Sequence, residues 1–294
     1  MIDGFTQSRI GCGEVTLSVH RAGHGVPLIL LHGYPQNHRC WAATAPALAK
    51  HFDVIVPDLR GYGGSDAPDD DAGHSTYSKR AMARDIAGLM DALGLKRAHV
   101  LGHDRGARVA YRFALDHPDR ILRLGIIEIV PTGDFWGAWS ADLAMAAYHW
   151  TFLAQPAPLP ERMIAADPEG YADWTLKSWT LDRRLDSFPA EALDAYRAQM
   201  VDRAGAMCAD YRAGATVDRA LDEADRAAGR RITAPLHFLY AEAGFPARTG
   251  DPLAVWRRWA DTVTGSPCRS GHFVPEENPE AVLDAFLPFF RALT

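Results

Sequence analysis

The sequence predicts an α/β fold, with a mostly parallel sheet covered by helices on both faces. Three observations carry that expectation: short apolar runs ending in polar or glycine-rich sequence, helical patterns between them, and a sharp strand-to-helix turn at residues 100–112. The runs are PLILLHG (27–33), DVIVPDLRG (53–61), AHVLGHD (98–104), LGIIEIVP (124–131) and PLHFLYAE (235–242). Their hydrophobicity is continuous rather than alternating, as in strands buried on both faces of a parallel sheet. Helical periodicity is clearest in SKRAMARDIAGLMDALG (78–94), closed by Gly94, and in PEAVLDAFLPFFRAL (279–293). Alternating β and α elements build a doubly wound sheet.

The alternation stops near residue 133. From there to about Arg231 the sequence is rich in Ala, Asp, Arg and Trp, is broken by QPAPLP, and offers no strand signal. The expected organisation is a core of residues 1–133 and 232–294 with a helical cap, 134–231, spliced between its two segments. At 294 residues and 48% hydrophobic content, the chain can bury a substantial core. Its formal charge of −6 and lack of a basic tract argue against nucleic-acid or membrane partners. The N-terminus shows no secretory signal and no apolar run reaches membrane-span length, so a cytoplasmic location is expected. Cys12, Cys40, Cys208 and Cys268 form no C-x-x-C pair and read as free thiols. No metal or cofactor is expected.

Ligands of open α/β sheets bind outside the carboxyl ends of the strands. The residues ending the apolar runs are His32, Asp58, Asp104, Glu128 and Glu242. The third run continues as VLGHDRGARVAYR, in which Asp104 stands between Gly102 and Gly106. That is the pattern of the G-x-S-x-G nucleophile elbow of the α/β-hydrolase fold, with a carboxylate at the serine position. The competing reading is a plain helix N-cap. His272, in CRSGHFVPEENP ahead of the final helix, occupies the place of a triad base. Glu128, within an apolar segment, is the first choice for the acid that orients it, and Glu242 the alternative. The backbone N–H groups of Tyr34, in HGYPQN, and of Arg105 are the expected oxyanion-hole donors. Asp58, in DLRGYGGSD, reads as a structural acid holding a glycine-rich turn.

A carboxylate nucleophile selects the chemistry. Attack on a saturated carbon gives an alkyl ester, and a water activated by His272 can hydrolyse that ester at its carbonyl carbon and restore Asp104. A serine making the same attack would be left as an ether with no route to turnover. Displacement at sp³ carbon therefore points to carbon–halogen bonds or epoxides. Arg105 and Arg108, one and four residues after Asp104, favour a substrate bearing a carboxylate.

These motifs, together with IVPT, YHW, DYRA and GDPLAVW, resemble the fluoroacetate (haloacetate) dehalogenases of the α/β-hydrolase superfamily over nearly the whole length. The resemblance implies Asp104 as nucleophile, His272 as base, Arg105 and Arg108 as carboxylate ligands, and His149, Trp150 and Tyr211 as halide ligands. It also implies a homodimer, a small haloacid and water as the only partners, and a place for Trp179 in the pocket wall. One departure stands out: the family pattern has Asp where this chain has Glu128, and the longer acid resembles that of haloalkane dehalogenases. Two other readings compete. An epoxide hydrolase would use paired tyrosines, here Tyr148 and Tyr211, and a non-catalytic protein would merely bind a small carboxylate.

Overall fold

Each of the five apolar runs forms a strand, and in each the polar residue singled out is the first one past the strand end. The computed structural model describes residues 2–292. Its eight-stranded sheet contains β1 (Thr6–Gly11), β2 (Thr16–Gly23), β3 (Pro27–Leu31), β4 (Asp53–Pro57), β5 (Ala98–His103), β6 (Ile121–Ile127), β7 (Leu236–Ala241) and β8 (Val263–Cys268). The order is β1-β2-β4-β3-β5-β6-β7-β8. β2 runs antiparallel to β1 and β4, and every other pair is parallel.

Alternation within the central strands explains their continuous hydrophobicity. On β3, Ile29 and Leu31 enter the cluster packed under the helices Lys79–Ala92 and Arg105–Asp116. Leu28 and Leu30 enter a second cluster beneath Pro279–Arg291. With period-2 side chains and both faces covered, every position must be apolar.

β1, β2 and β8 carry no such signal. β1 (TQSRIG) is a largely exposed edge, and β8 (VTGSPC), the opposite edge, needs no apolar run. β2 mixes Leu17 and Val19 with Ser18 and His20. A second difference concerns β6, which starts at Ile121 and ends at Ile127. Glu128 thus lies just past the strand rather than within it.

Capping follows the sequence closely. Ser78 Oγ accepts from the Ala81 N–H at the start of Lys79–Ala92, and Gly94 beyond its end has φ +68°. Asn278 caps Pro279–Arg291 by accepting from the Ala281 N–H, with Pro279 in the first turn. The tail of the expected last helix, Leu293, lies outside the described residues.

Between β6 and β7 the chain is helical. Thr132–Gly137, Ala141–Ala146 and His149–Leu153 precede the break at QPAPLP; Leu159–Ala166, Pro168–Trp179, Ala190–Ala215 and Val217–Ala227 follow it. The last turns of Ala190–Ala215 are buried from Met207 to Gly214 and meet the segments that follow β4 and β5, where Asp210 bonds to Tyr62 and Arg105. All four cysteines are free and buried. No helix among the described residues is long and apolar enough to cross a membrane.

Candidate active site

The turn from β5 into Arg105–Asp116 is a strained elbow. Asp104 has φ 46° and ψ −117°, a region that costs a non-glycine residue about 1–3 kcal/mol. The flanking glycines make the bend possible. A Cβ on Gly106 would lie 2.3 Å from the His32 carbonyl oxygen, and one on Gly102 would lie 2.5 Å from Ala107 Cα. The Asp104 side chain makes no capping hydrogen bond, which removes the N-cap reading. Its carboxylate is projected over the sheet instead, beside the positive end of the helix dipole.

Two features organise this carboxylate. The Tyr34 N–H donates to Oδ2 at 2.9 Å, while Oδ1 lies 3.7 Å from His272 Nε2. Burial pushes the Asp104 pKa up, but His272, His103, Arg105 and Arg108 outweigh it and hold the group at about 2. Asp104 is therefore an ionised, buried carboxylate. Of the two expected oxyanion-hole donors only Tyr34 is engaged with it; no hydrogen bond joins the Arg105 N–H to the carboxylate among the described residues.

His272 is fixed from its backbone. Its N–H donates to the Trp179 carbonyl at 2.8 Å, and its own carbonyl lies 2.8 Å from His103 Nε2. The loop is packed by Phe273 and Pro275, both buried, and Glu277 accepts from the N–H groups of Gly271 and Phe273. His272 Nδ1 faces Glu128 Oε1 at 3.9 Å, longer than a hydrogen bond.

Glu128 shows why the side chain stops short. Its φ is +60°, and its two oxygens accept from the N–H groups of Ala241 (2.7 Å) and Phe245 (3.0 Å). Burial raises its pKa, with His272 and these two donors opposing. The acid is thus tied to the end of β7, and Gly244 must lack a side chain because a Cβ there would fall 1.7 Å from Oε1. Glu242 is exposed and forms no ion pair with His272. The geometry favours Glu128 of the two acids.

The two arginines differ sharply. Arg105 Nε donates to Asp210 Oδ2 at 3.1 Å and Nη2 to the Asp210 carbonyl at 2.8 Å, with a further contact to Oδ1. Its fork is therefore already occupied by Asp210, and only Nη1 is buried without a partner. The expectation gave a substrate carboxylate to both arginines; the structure surrounds the two guanidiniums with different partners. Arg108, 2% exposed, gives Nη1 to the Val130 carbonyl (3.0 Å) and Thr132 Oγ1 (3.1 Å), and its Nε has no partner. No carboxylate pairs with it among the described residues. Its guanidinium lies 4.5 Å from the Trp150 ring centre.

A small inner cavity of about 10 Å³ is lined by Asp104, Arg108, Glu128, His149, Trp150 and His272, with Phe135 and Phe245 among its apolar walls. That is room for about one water, so even a haloacetate-sized ligand enters only if the walls move. Burial holds the His149 pKa well below its usual value, so the ring is neutral, and its Nδ1 is buried without a partner. Tyr211 is buried beside Arg105, 4.3 Å from the guanidinium to the ring centre. Tyr148 does not reach this cavity. It lines an outer vestibule of about 550 Å³ together with Trp174, Trp179 and Arg248, and His272 and Phe245 border both spaces. Trp179 stands against His149, with ring centres 4.1 Å apart.

A family model for the alpha/beta hydrolase fold matches residues 26–261. The chain belongs to the alpha/beta hydrolase family. It is 40% identical over 282 residues to a fluoroacetate dehalogenase from Burkholderia sp, which spans 95% of this chain and 92% of that protein. A soluble epoxide hydrolase from Corynebacterium sp. (strain C12) is 33% identical, over 92% of each chain. A solved structure from Nostoc sp PCC 7120 superposes with a TM-score of 0.96 at 43% identity, covering 100% of both chains. The protein is a hydrolase of this fold.

Sequence reasoning missed several residues that this hydrolase places around the site. Asp210 immediately precedes Tyr211, yet nothing in the helical pattern marks it as buried. Phe135 and Phe245 read as ordinary apolar residues. Asp58 holds its turn as expected, accepting from the N–H groups of His38 (2.8 Å) and Gly64 (3.0 Å). His20, His38 and Asp58 place potential metal-ligand atoms within 4.8 Å of one another. The two imidazoles stack at 3.7 Å, however, which aims their in-plane lone pairs side by side rather than at one centre.

Proposed function

We propose that the protein hydrolyses the carbon–halogen bond of a short 2-haloacid, such as fluoroacetate or chloroacetate, to the 2-hydroxyacid. The observation that carries this reading is the pairing of an ionised Asp104 with Arg108, a buried guanidinium that has no carboxylate partner among the described residues, in the same small cavity. A buried cation left in that condition is costly unless an anion joins it. A substrate carboxylate on Arg108 would place the neighbouring carbon at Asp104.

The residues then take distinct roles. Oδ1 of Asp104 attacks the halogen-bearing carbon, the carbon–halogen electron pair leaves as halide, and an Asp104 alkyl ester forms. The N–H and O–H groups of Trp150 and Tyr211, with His149, are the donors for the departing halide, and fluoride needs such donors most. Water deprotonated by His272 attacks Cγ, and charge gathers on Oδ2, where the Tyr34 N–H already donates. Collapse expels the hydroxyacid oxygen, which takes the proton from His272. Glu128 holds the imidazolium through its Nδ1 side, and closing the 3.9 Å gap between them accompanies that charge. Helices 134–231 act as a cap that excludes bulk water from the ester.

An epoxide hydrolase would need two hydroxyl groups converging on the epoxide oxygen. Tyr211 is buried near Asp104 but Tyr148 lies in the outer vestibule, which supports the haloacid reading. Incubation with fluoroacetate, chloroacetate and styrene oxide, following halide and diol, separates the two. Halide from a haloacetate is the expected result; diol with no halide would overturn the proposal.

A further inference from the structure

Asp210 is shared. Its carboxylate receives Arg105 through Nε and Nη2, the Tyr62 hydroxyl at 2.8 Å, and the ammonium group of Lys79. Lys79 and Arg105 are 1% and 0% exposed, so this is one anion held between two buried cations. Burial alone would push the Asp210 pKa up, but Arg105 and Lys79 hold it well below the usual carboxylate range. Burial pushes the Lys79 ammonium down in turn, and Asp210 opposes that shift. Lys79 comes from the first residue of Lys79–Ala92, touches neither cavity, and has no place in the chemistry described above.

The charge count gives Lys79 a purpose. Asp210 paired with Arg105 alone would be neutral. Arg108 would then face both Asp104 and an incoming substrate carboxylate by itself. With Lys79 added, Lys79, Asp210 and Arg105 together carry one net positive charge behind the site; Asp218, buried and accepting the Lys79 backbone N–H at 2.7 Å, has its pKa raised by burial, which favours its neutral carboxyl form. In a low-dielectric interior such a charge is poorly screened.

We infer that Lys79 is a positioning residue for carboxylate recognition: by neutralising Asp210 from behind, it leaves the positive charge of Arg105 available to a carboxylate-bearing ligand bound at Arg108. The inference rests on the haloacid reading of the site and extends it to a residue that never touches substrate. The selectivity it confers is for anionic over neutral ligands of the same shape.

The test uses binding, which needs no turnover. Affinities of glycolate and of its neutral amide, glycolamide, are measured by calorimetry for the wild-type protein, Lys79→Met and the double variant Lys79→Met/Asp210→Asn. A unit charge acting over about 10 Å at an effective dielectric near 20 changes affinity about tenfold. The preference for glycolate is therefore expected to fall about tenfold in Lys79→Met. The double variant, which restores one net positive charge on Arg105, is expected to recover most of it. A purely structural lysine would weaken both ligands alike and gain nothing from the second substitution. Unchanged preference in Lys79→Met, equal loss for both ligands, or no wild-type preference for glycolate overturns the inference. If Lys79→Met does not fold, the double variant still decides, because loss of preference in a folded double variant contradicts it. Retained glycolate preference with no halide from any haloacetate would overturn the proposed function while leaving this inference standing.

Discussion

The Tyr34 N–H donates to Oδ2 of Asp104 at 2.9 Å, and this one bond makes the two oxygens of that carboxylate unequal. In the proposed mechanism Oδ1 attacks, and Oδ2 already sits where charge would develop when the ester is hydrolysed. In that mechanism the first step does not need His272, and the second does. His272→Ala is therefore expected to convert its first equivalent of chloroacetate and stop, with the enzyme heavier by one carboxymethyl group on the peptide containing Asp104. Intact-mass spectrometry checks this, and an active variant with no adduct would remove the ester pathway.

Arg108 ties recognition to instability. Its burial lowers its pKa and Arg105 adds to that, with Tyr111 and Asp104 opposing, and no carboxylate forms an ion pair with it among the described residues. Arg108→Met is expected to raise KM for haloacetates by about tenfold or more, while thermal stability holds or rises. Kinetics and a melting curve on one preparation read both effects. A large fall in Tm with KM unchanged would assign Arg108 to structure alone.

In the proposed mechanism Glu128 acts in the second half of the reaction. Glu128→Gln keeps one acceptor for the Ala241 or Phe245 N–H but removes the charge opposite His272. Rapid-quench measurements should show a full stoichiometric burst of halide followed by a steady state slowed about 10²-fold or more. Loss of the burst itself would place Glu128 in the alkylation step. Glu128→Ala is expected to cost about 1–3 kcal/mol of stability for each N–H left buried without an acceptor.

The pH dependence of the burst follows from Asp104. Its folded pKa, about 2, lies below the ordinary carboxylate value, so the ionised form persists well into acid. The stability it contributes is complete above about pH 4 and is lost only as pH falls toward 2. The amplitude of the first-turnover halide burst is accordingly expected to stay constant from about pH 8 down to about pH 4. A burst that disappears with a midpoint near pH 6 would mean that another group must ionise before attack.

Much of this arrangement was legible in the sequence because chain geometry fixes it locally. The glycines at 102 and 106 announce the elbow, continuous apolar runs announce buried strands, and the five polar residues that end those runs each fall one residue past a strand. What could not be read depends on packing between distant segments. The edge strands β1 and β8 have solvent on one side and carry no apolar pattern. Asp210 lies 105 residues from Arg105, so nothing local reveals that it already occupies that guanidinium. The 3.9 Å gap at Glu128 likewise depends on how the end of β7 holds its carboxylate.

The covalent role of Asp104 is tested most directly by a single turnover in ¹⁸O-labelled water with enzyme in excess over chloroacetate. Attack by Asp104 followed by hydrolysis at Cγ leaves the new oxygen on the enzyme. The expected result is unlabelled glycolate and a peptide containing Asp104 that is about 2 Da heavier. Labelled glycolate with an unlabelled Asp104 would mean that water attacks the substrate directly, and would contradict the mechanism.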